Sequence, residues 1–362
     1  VNSEELGAWL RLTQTEAIGP VAARRLLTSF GLPQQIFAAS YAGLAAEVGE
    51  ALARAITGPV NADLQQSIEK TQAWLEGSER RQILTLADSS YPSSLLTIHD
   101  PPTLLYVVGD VMSLSRDQMA IVGSRNATAA GLKNAQAFAA DFARQGLVVS
   151  SGLALGIDAA AHTGTLEAGG TTLAVVGTGL DIVYPSRHKA LAHQILESGG
   201  AIVSEFPLGT PALPHQFPRR NRIIAGLSRG VLVVEAAIHS GSLITARVAA
   251  EQGREVFAIP GSIHSPQAKG CHRLIKDGAK LVECADDVLS ELRWHSPALS
   301  APVSTNADST DPWLEAVGYD PFTLDELVTR TQASVAELNA RLLDWELEGL
   351  VVPVPGGRWQ RC

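Results

Sequence analysis

The order of residues predicts a doubly wound α/β domain, with a small all-helical region before it and a winged helix after it. Three observations carry this. From residue 119 onward, short β-branched runs alternate with helical periods, the pattern of βα units whose parallel strands are covered on both faces. Residues 4–75 instead string short helical patterns between glycine and proline breaks. Residues 312–362 read as three helices and a terminal hairpin. At 362 residues the chain exceeds one ordinary core. The expected division is a helical domain at 1–80, the α/β domain at 81–294, a linker at 295–311 and the winged helix at 312–362.

Taken in order, Ile18-Gly19-Pro20-Val21 reads as a turn between helices. A helix-hairpin-helix turn of this kind can aim backbone N–H groups at a phosphate. In an acidic segment, a plain tight turn between packed helices is favoured. Ile83–Leu86 and Leu104–Val108 read as strands at one edge of the sheet. Met119–Gly123, Leu147–Ser151, Thr172–Gly177, Ala201–Glu205, Gly230–Glu235 and Glu255–Pro260 read as further strands. Ala127–Gln145 is a helix with Leu132, Ala135, Phe138, Ala139 and Phe142 on one face. The Ser/Pro/Ala/Asp/Thr-rich stretch after His295 lacks periodicity and reads as the linker. Thr323 caps a helix over Leu324–Thr329. Ser334 with Glu337 three residues on is a capping box for the helix 335–348, and Pro355-Gly356-Gly357 turns the hairpin.

Composition narrows the class. Hydrophobic residues make up 46% and no apolar run approaches the roughly 20 residues that span a bilayer. The start, Val1-Asn2-Ser3-Glu4-Glu5-Leu6, lacks the pattern of a signal peptide. Cys271, Cys284 and Cys362 are odd in number and without CxxC spacing. Reduced thiols in a cytoplasm are expected, and no metal site. The net charge is −9, yet residues 119–290 are net +2, while 312–362 are net −4. A polyanion, if bound, belongs on the central block.

That block contains Phe217-Pro218-Arg219-Arg220-Asn221-Arg222, and from Arg219 through Arg229 there are four arginines and no acid. Clustered arginines repel one another, so an anionic partner is expected. A neighbouring phenylalanine adds a stacking platform. Together they suit single-stranded nucleic acid.

Small-residue turns follow several strands: Gly123-Ser124-Arg125, Gly152–Asp158, Gly177-Thr178-Gly179 and Ser240-Gly241-Ser242-Leu243-Ile244-Thr245. Glycine there lets N–H groups approach an anion, and helix dipoles add attraction. Each turn alone is equally a structural strand-to-helix turn. No G-x-G-x-x-G or G-x-x-x-x-G-K-[ST] occurs, so neither a dinucleotide nor a P-loop nucleotide is expected. Asp158 and His162 lie four apart without a serine or cysteine elbow. Glu205 and Glu235 end strands; as structural residues they would cap helices or pair with Arg219–Arg222, which is the preferred reading over acid–base chemistry.

The series Asp88-x-x-Tyr91-Pro92, Val122-Gly123-Ser124-Arg125, Ser151-Gly152-x-Ala154-x-Gly156-Ile157-Asp158, Gly177-x-Gly179-x-Asp181-x-x-Tyr184-Pro185, Phe217-Pro218-x-Arg220-Asn221-Arg222 and Ser240-Gly241-Ser242-Leu243-x-Thr245 resembles the bacterial DNA-processing protein A (DprA/Smf) family over nearly the whole chain. The resemblance implies a SAM or helix-hairpin-helix type domain, an extended Rossmann-like domain and a winged helix. It further implies a cytoplasmic, non-enzymatic binder of single-stranded DNA that acts in natural transformation, dimerises through the Rossmann-like domain and loads RecA recombinase. No cofactor is implied.

The candidate DNA-binding residues are then Gly123, Ser124, Arg125, Gly152, Arg187, Lys189, Phe217, Arg219, Arg220, Asn221, Arg222, Ser240, Gly241, Ser242 and Thr245. Two departures stand out. Ser186-Arg187-His188-Lys189 shifts the family's basic position by a residue, and only His215 offers charge just before Phe217. For self-association and RecA contact the candidate segment is Gly270–Leu281, with apolar Leu274, Ile275 and Leu281. The third winged-helix helix carries Glu337, Asp344, Glu346 and Glu348 against Arg341, so a protein-contact or autoregulatory role is expected of it rather than groove reading. A competing enzyme reading, a nucleotide phosphoribohydrolase on a similar sheet, needs a P-G-G-x-G-T turn; the only Pro-Gly-Gly lies in the terminal hairpin. A transcription factor rests on the winged helix alone.

Overall fold

A computed structural model describes residues 3–60, 62–294 and 311–361. All of the expected linker except Asp311 lies outside the described residues, as do Val1, Asn2 and Cys362.

Six helices come first: α1 (Ser3–Gln14), α2 (Pro20–Phe30), α3 (Pro33–Ala38), α4 (Tyr41–Val48), α5 (Glu50–Thr57) and α6 (Ala62–Glu76). Gly19 precedes α2 in extended conformation and Pro20 opens it, where the missing N–H costs nothing. Leu6, Trp9, Leu10, Leu26, Ile36, Leu44 and Ile56 form the centre of this layer. The same core continues into the sheet through Ile83, Leu104 and Tyr106, and the Trp74 and Tyr106 rings meet edge to face at 6.0 Å.

The sheet has nine strands: β1 (Arg81–Thr85), β2 (Leu104–Gly109), β3 (Gln118–Val122), β4 (Val148–Ser151), β5 (Thr172–Val175), β6 (Ala201–Ser204), β7 (Gly230–Val233), β8 (Glu255–Ala258) and β9 (Lys280–Leu281). Their spatial order is β1-β2-β6-β5-β4-β3-β7-β8-β9. From β6 to β9 every pairing is parallel. β2 runs antiparallel to both β6 and β1, so the expected edge extension is an antiparallel hairpin. Several strands stop one or two residues short of the apolar run, because the last apolar residues already belong to the turns that build the cleft described below.

One face of the sheet carries α7 (Ser93–Leu96), α11 (Gln216–Leu227), α12 (Ser242–Glu251) and α13 (Lys269–Lys276), with Ala120, Val122, Val148 and Val231 inside. On the other lie α8 (Ala129–Arg144), α9 (Ile157–Glu167), α10 (Lys189–Glu197) and α14 (Ala285–Glu291), over Met119, Ile121, Val149 and Ala174. Alternate strand residues thus feed opposite cores, as the two-residue period requires. In α8 the expected stripe of Ala135, Phe138, Ala139 and Phe142 is buried.

The C-terminal helices are α15 (Pro312–Val317), α16 (Leu324–Thr331) and α17 (Val335–Leu347), followed by the hairpin β10 (Val351–Val354) and β11 (Arg358–Arg361). Ser334 accepts from the Glu337 N–H at 3.3 Å while Glu337 accepts from the Ser334 N–H at 3.1 Å, the reciprocal cap read from the sequence. Phe322 and Trp345 sit at the centre of this unit's own core with Trp313 and Trp359 packed at its border.

Candidate nucleic-acid interface

In a doubly wound sheet, ligands gather where successive crossovers leave in opposite directions, at the carboxyl ends of the strands. Here that point lies between β3, whose chain continues through α8 to β4, and β7 on its other side. A cleft of about 670 Å³ opens there. Its walls are the turn after β3 (Gly123, Ser124, Arg125, Asn126), the head of α12 with the turn before it (Ser240, Gly241, Ser242, Thr245) and one face of α11.

Helical geometry decides which arginines of the central cluster reach it. Phe217, Arg220, Asn221 and Ile224 are spaced three, four and seven apart, share one side of α11 and line the cleft. Arg219 and Arg222, also three apart, fall on another side. There both meet Glu205: Arg222 Nη2 lies 2.6 Å from Glu205 Oε2 and Arg219 Nε lies 3.2 Å from Glu205 Oε1. Arg222 Nε adds Asp100 at 2.9 Å. Side chains of Arg222 and Glu205 are 7% and 4% exposed, so this is a buried ion pair.

Arg220 is buried as well, but in the cleft wall. Its Nη1 donates to the Val175 carbonyl at 2.5 Å, and Nε has no partner. Burial lowers its pKa to about 10, with Asp158 opposing the shift, so the guanidinium stays charged at neutral pH. Gly152 makes room for it: a Cβ there would stand 1.8 Å from Arg220 Nη1. Asp158 accepts from the Gly152 N–H at 3.0 Å and the Ala154 N–H at 3.3 Å, fixing that turn. Its burial raises the carboxyl pKa, against the pull of Arg220. Gly123 is equally constrained, since a Cβ would fall 2.6 Å from Ile157 Cγ1.

At the mouth, the exposed Arg125 guanidinium lies 5.3 Å from the centroid of the half-buried Phe217 ring. Tyr184 stands 5.8 Å from the same ring at an interplanar angle of 38°. Two flat rings and a guanidinium therefore meet beside a groove whose depth holds a second, buried positive charge. Such a surface suits an unstacked base with its phosphate.

Ten of the fifteen candidate residues line this cleft: Gly123, Ser124, Arg125, Phe217, Arg220, Asn221, Ser240, Gly241, Ser242 and Thr245. Gly152 acts behind it by seating Arg220. Arg219 and Arg222 are turned onto Glu205. Arg187 is exposed on the short turn Ser186–His188, and Lys189 borders a separate apolar hollow with Leu153, Val176 and Ala192. Sequence reasoning did not single out Tyr184, Asn126, His239 or Gln267, which also line the cleft. Tyr184 carried a signal, an aromatic residue in the turn region after β5; the others are polar loop residues like many.

Glu205 and Glu235 both have structural work. Glu205 pairs with the two arginines as read. Glu235 instead accepts from the Thr128 N–H at 2.9 Å and hydroxyl at 2.5 Å, ahead of α8, which is the capping half of the same reading. His162 is buried, with Nδ1 2.7 Å from Thr172 Oγ1, and does not reach the cleft.

The family model described as DNA recombination-mediator protein A matches residues 82–293. This chain belongs to that family. A second model, the DprA winged helix domain, matches residues 296–357. Protein Smf of Escherichia coli is 44% identical over 303 residues, covering 81% of this chain and 80% of its own. The crystal structure of DprA from Streptococcus pneumoniae superposes with a TM-score of 0.58 at 38% identity, over 77% of this chain and 99% of that one. DprA from Helicobacter pylori, whose structure was described for its single-stranded DNA binding mode, gives a TM-score of 0.53 at 28% identity, over 59% of this chain and 96% of that one. Among the described residues, no helix of this family member is long and apolar enough to cross a membrane.

Proposed function

We propose that this recombination mediator binds single-stranded DNA across the β3–β7 cleft and hands the strand to RecA recombinase in the cytoplasm during natural transformation. The observation that carries the reading is the Arg125–Phe217–Tyr184 cluster at the mouth of a cleft with Arg220 in its wall. Arg125 contacts phosphate, Phe217 stacks on a base, and the Gly123–Ser124 turn with the Gly241 N–H and the hydroxyls of Ser240 and Ser242 receives a second phosphate. Arg220 supplies fixed positive potential from inside the wall. Arg222 and Arg219 hold α11 in place through Glu205, which makes them positioning residues. Arg187 and Lys189, on the neighbouring turn and the start of α10, take the strand where it leaves the cleft.

The reading is non-enzymatic: the two carboxylates that could serve as acid and base are bound to Arg219, Arg222 and Thr128. Domain limits at 80, 294 and 311 and a homodimer through the Gly270–Leu281 segment belong to the same proposal. Leu281 is 44% exposed on β9, the edge strand at that end of the sheet.

The test is a mobility shift with a single strand and its duplex, followed by RecA filament nucleation on the bound strand. Preference for the single strand and faster nucleation are expected. Equal affinity for duplex would overturn the first half, and unchanged nucleation the second. Release of free base from nucleoside monophosphates would instead establish the phosphoribohydrolase reading.

A further inference from the structure

The inner side of α17 places Leu338, Leu342 and Trp345 in the core of the winged helix. A helix at a protein surface needs one such stripe. This helix has another on its outer side, where Ala336, Ala340, Leu343 and Leu347 are all exposed, Leu343 by 57% and Leu347 by 79%. Their spacing is four, three and four residues, that of the a and d positions along a coiled-coil seam. An exposed seam of that kind marks a contact surface.

Charge decides what fits it. With Ala340 and Leu347 at a and Ala336 and Leu343 at d, the flanking e and g positions include Glu337, Asp344 and Glu346, and Glu348 follows. The helix's one cation, Arg341, is held by Asp311 at 2.7 Å and offsets one of these acids, Asp344, at 3.6 Å, leaving Glu346 and Glu348 without a cation on the helix. A second copy would bring two acidic faces together, with Glu337 opposite Asp344 in the antiparallel orientation, and a DNA groove would repel the same face. We infer that the outer face of α17 docks an amphipathic helix of another protein, one with an apolar seam flanked by Lys or Arg.

The probe is a labelled synthetic helix several heptads long, with Leu at a and d and Lys at e and g, titrated into the full chain by fluorescence anisotropy. Its twin carries Glu in place of Lys. Saturable one-to-one binding of the Lys peptide is expected, weakened at least about tenfold by Leu343→Glu with Leu347→Glu, and no binding of the Glu peptide. Both leucines are exposed, so single-strand DNA affinity and far-ultraviolet circular dichroism should stay unchanged and report an intact fold. Glu346→Lys is the second variant; it should weaken the Lys peptide and admit the Glu peptide. Absence of binding, or Lys-peptide binding equal in all variants, would overturn the inference, the latter by revealing mere attraction to an acidic surface. Loss of self-association in the leucine variant would assign the seam to a second copy instead, and loss of duplex affinity would assign it to DNA.

Discussion

Arg219, Arg220 and Arg222 are near neighbours in sequence but occupy different chemical environments. The 100° step of the helix sends Arg220 into the cleft wall and the other two to Glu205. Substitution should separate the two roles. Arg222→Ala leaves the buried Glu205 with only the half-exposed Arg219, and losing one member of a buried pair costs up to about 3–5 kcal/mol. Arg222→Ala should therefore lower the denaturant midpoint strongly, whatever it does to DNA. Arg125→Ala removes an exposed guanidinium and should leave stability within about 0.5 kcal/mol, while weakening single-strand binding and making its salt dependence shallower by about 0.7 for a lost phosphate contact. Phe217→Ala should weaken binding by roughly one to two decades, since a base stacked on an aromatic ring is worth about 1–3 kcal/mol. Equal salt slopes for Arg125→Ala and wild type would remove Arg125 from the phosphate contacts. That an arginine cluster meets an anion was legible from residue types. Glu205 was legible as a partner for the cluster; which arginines turn to it and which to the cleft was not, because that depends on how α11 is turned against the sheet. Tyr184 was legible as part of a motif but not as a site residue, being 33 positions from the ring it faces.

At the scale of elements, most strands and the long helix α8 were plain in the sequence, since period and length are local properties. The antiparallel sense of β1 and β2 was not, because strand direction depends on the connection and not on residue pattern. α9 shows how burial tunes one such element. It packs on the sheet with α8 and α10 beside it, and His162 on it is held neutral, with burial pushing its pKa down to about 3. The unfolded chain takes up a proton near pH 6.5 that the folded chain refuses until about pH 3. Stability is thus complete above pH 6.5 and falls as the pH drops, with a slope approaching about 1.4 kcal/mol per pH unit from this residue. His162→Asn, which can keep a polar contact to Thr172, should cost some stability at pH 7.5 and flatten the decline between pH 6 and 4. Chemical denaturation of both proteins at several pH values measures it; parallel curves would show that other groups govern acid lability.

For the whole molecule, the uneven charge seen in the sequence has a structural counterpart. The acidic C-terminal unit carries its own core around Phe322 and Trp345, and its third helix offers acid where a groove reader offers base. Deleting residues 312–362 should leave single-strand affinity within about threefold, a difference under about 0.7 kcal/mol. A tenfold loss measured by titration with a labelled oligonucleotide would place a main DNA contact in that unit.

The N-terminal helices behave in the opposite way. Their core runs without a break into Ile83, Leu104 and Tyr106, and Lys70 reaches Asp181 at 2.7 Å. A cut near residue 80 follows the sequence boundary but crosses a continuous oil drop. The liberated sheet would present Tyr106 and its neighbours to water on one face and an unshielded hairpin at its margin, an invitation to sticking and precipitation. Anyone preparing the central domain for crystals or for biophysics would do better to keep the first helices attached and trim from the other end.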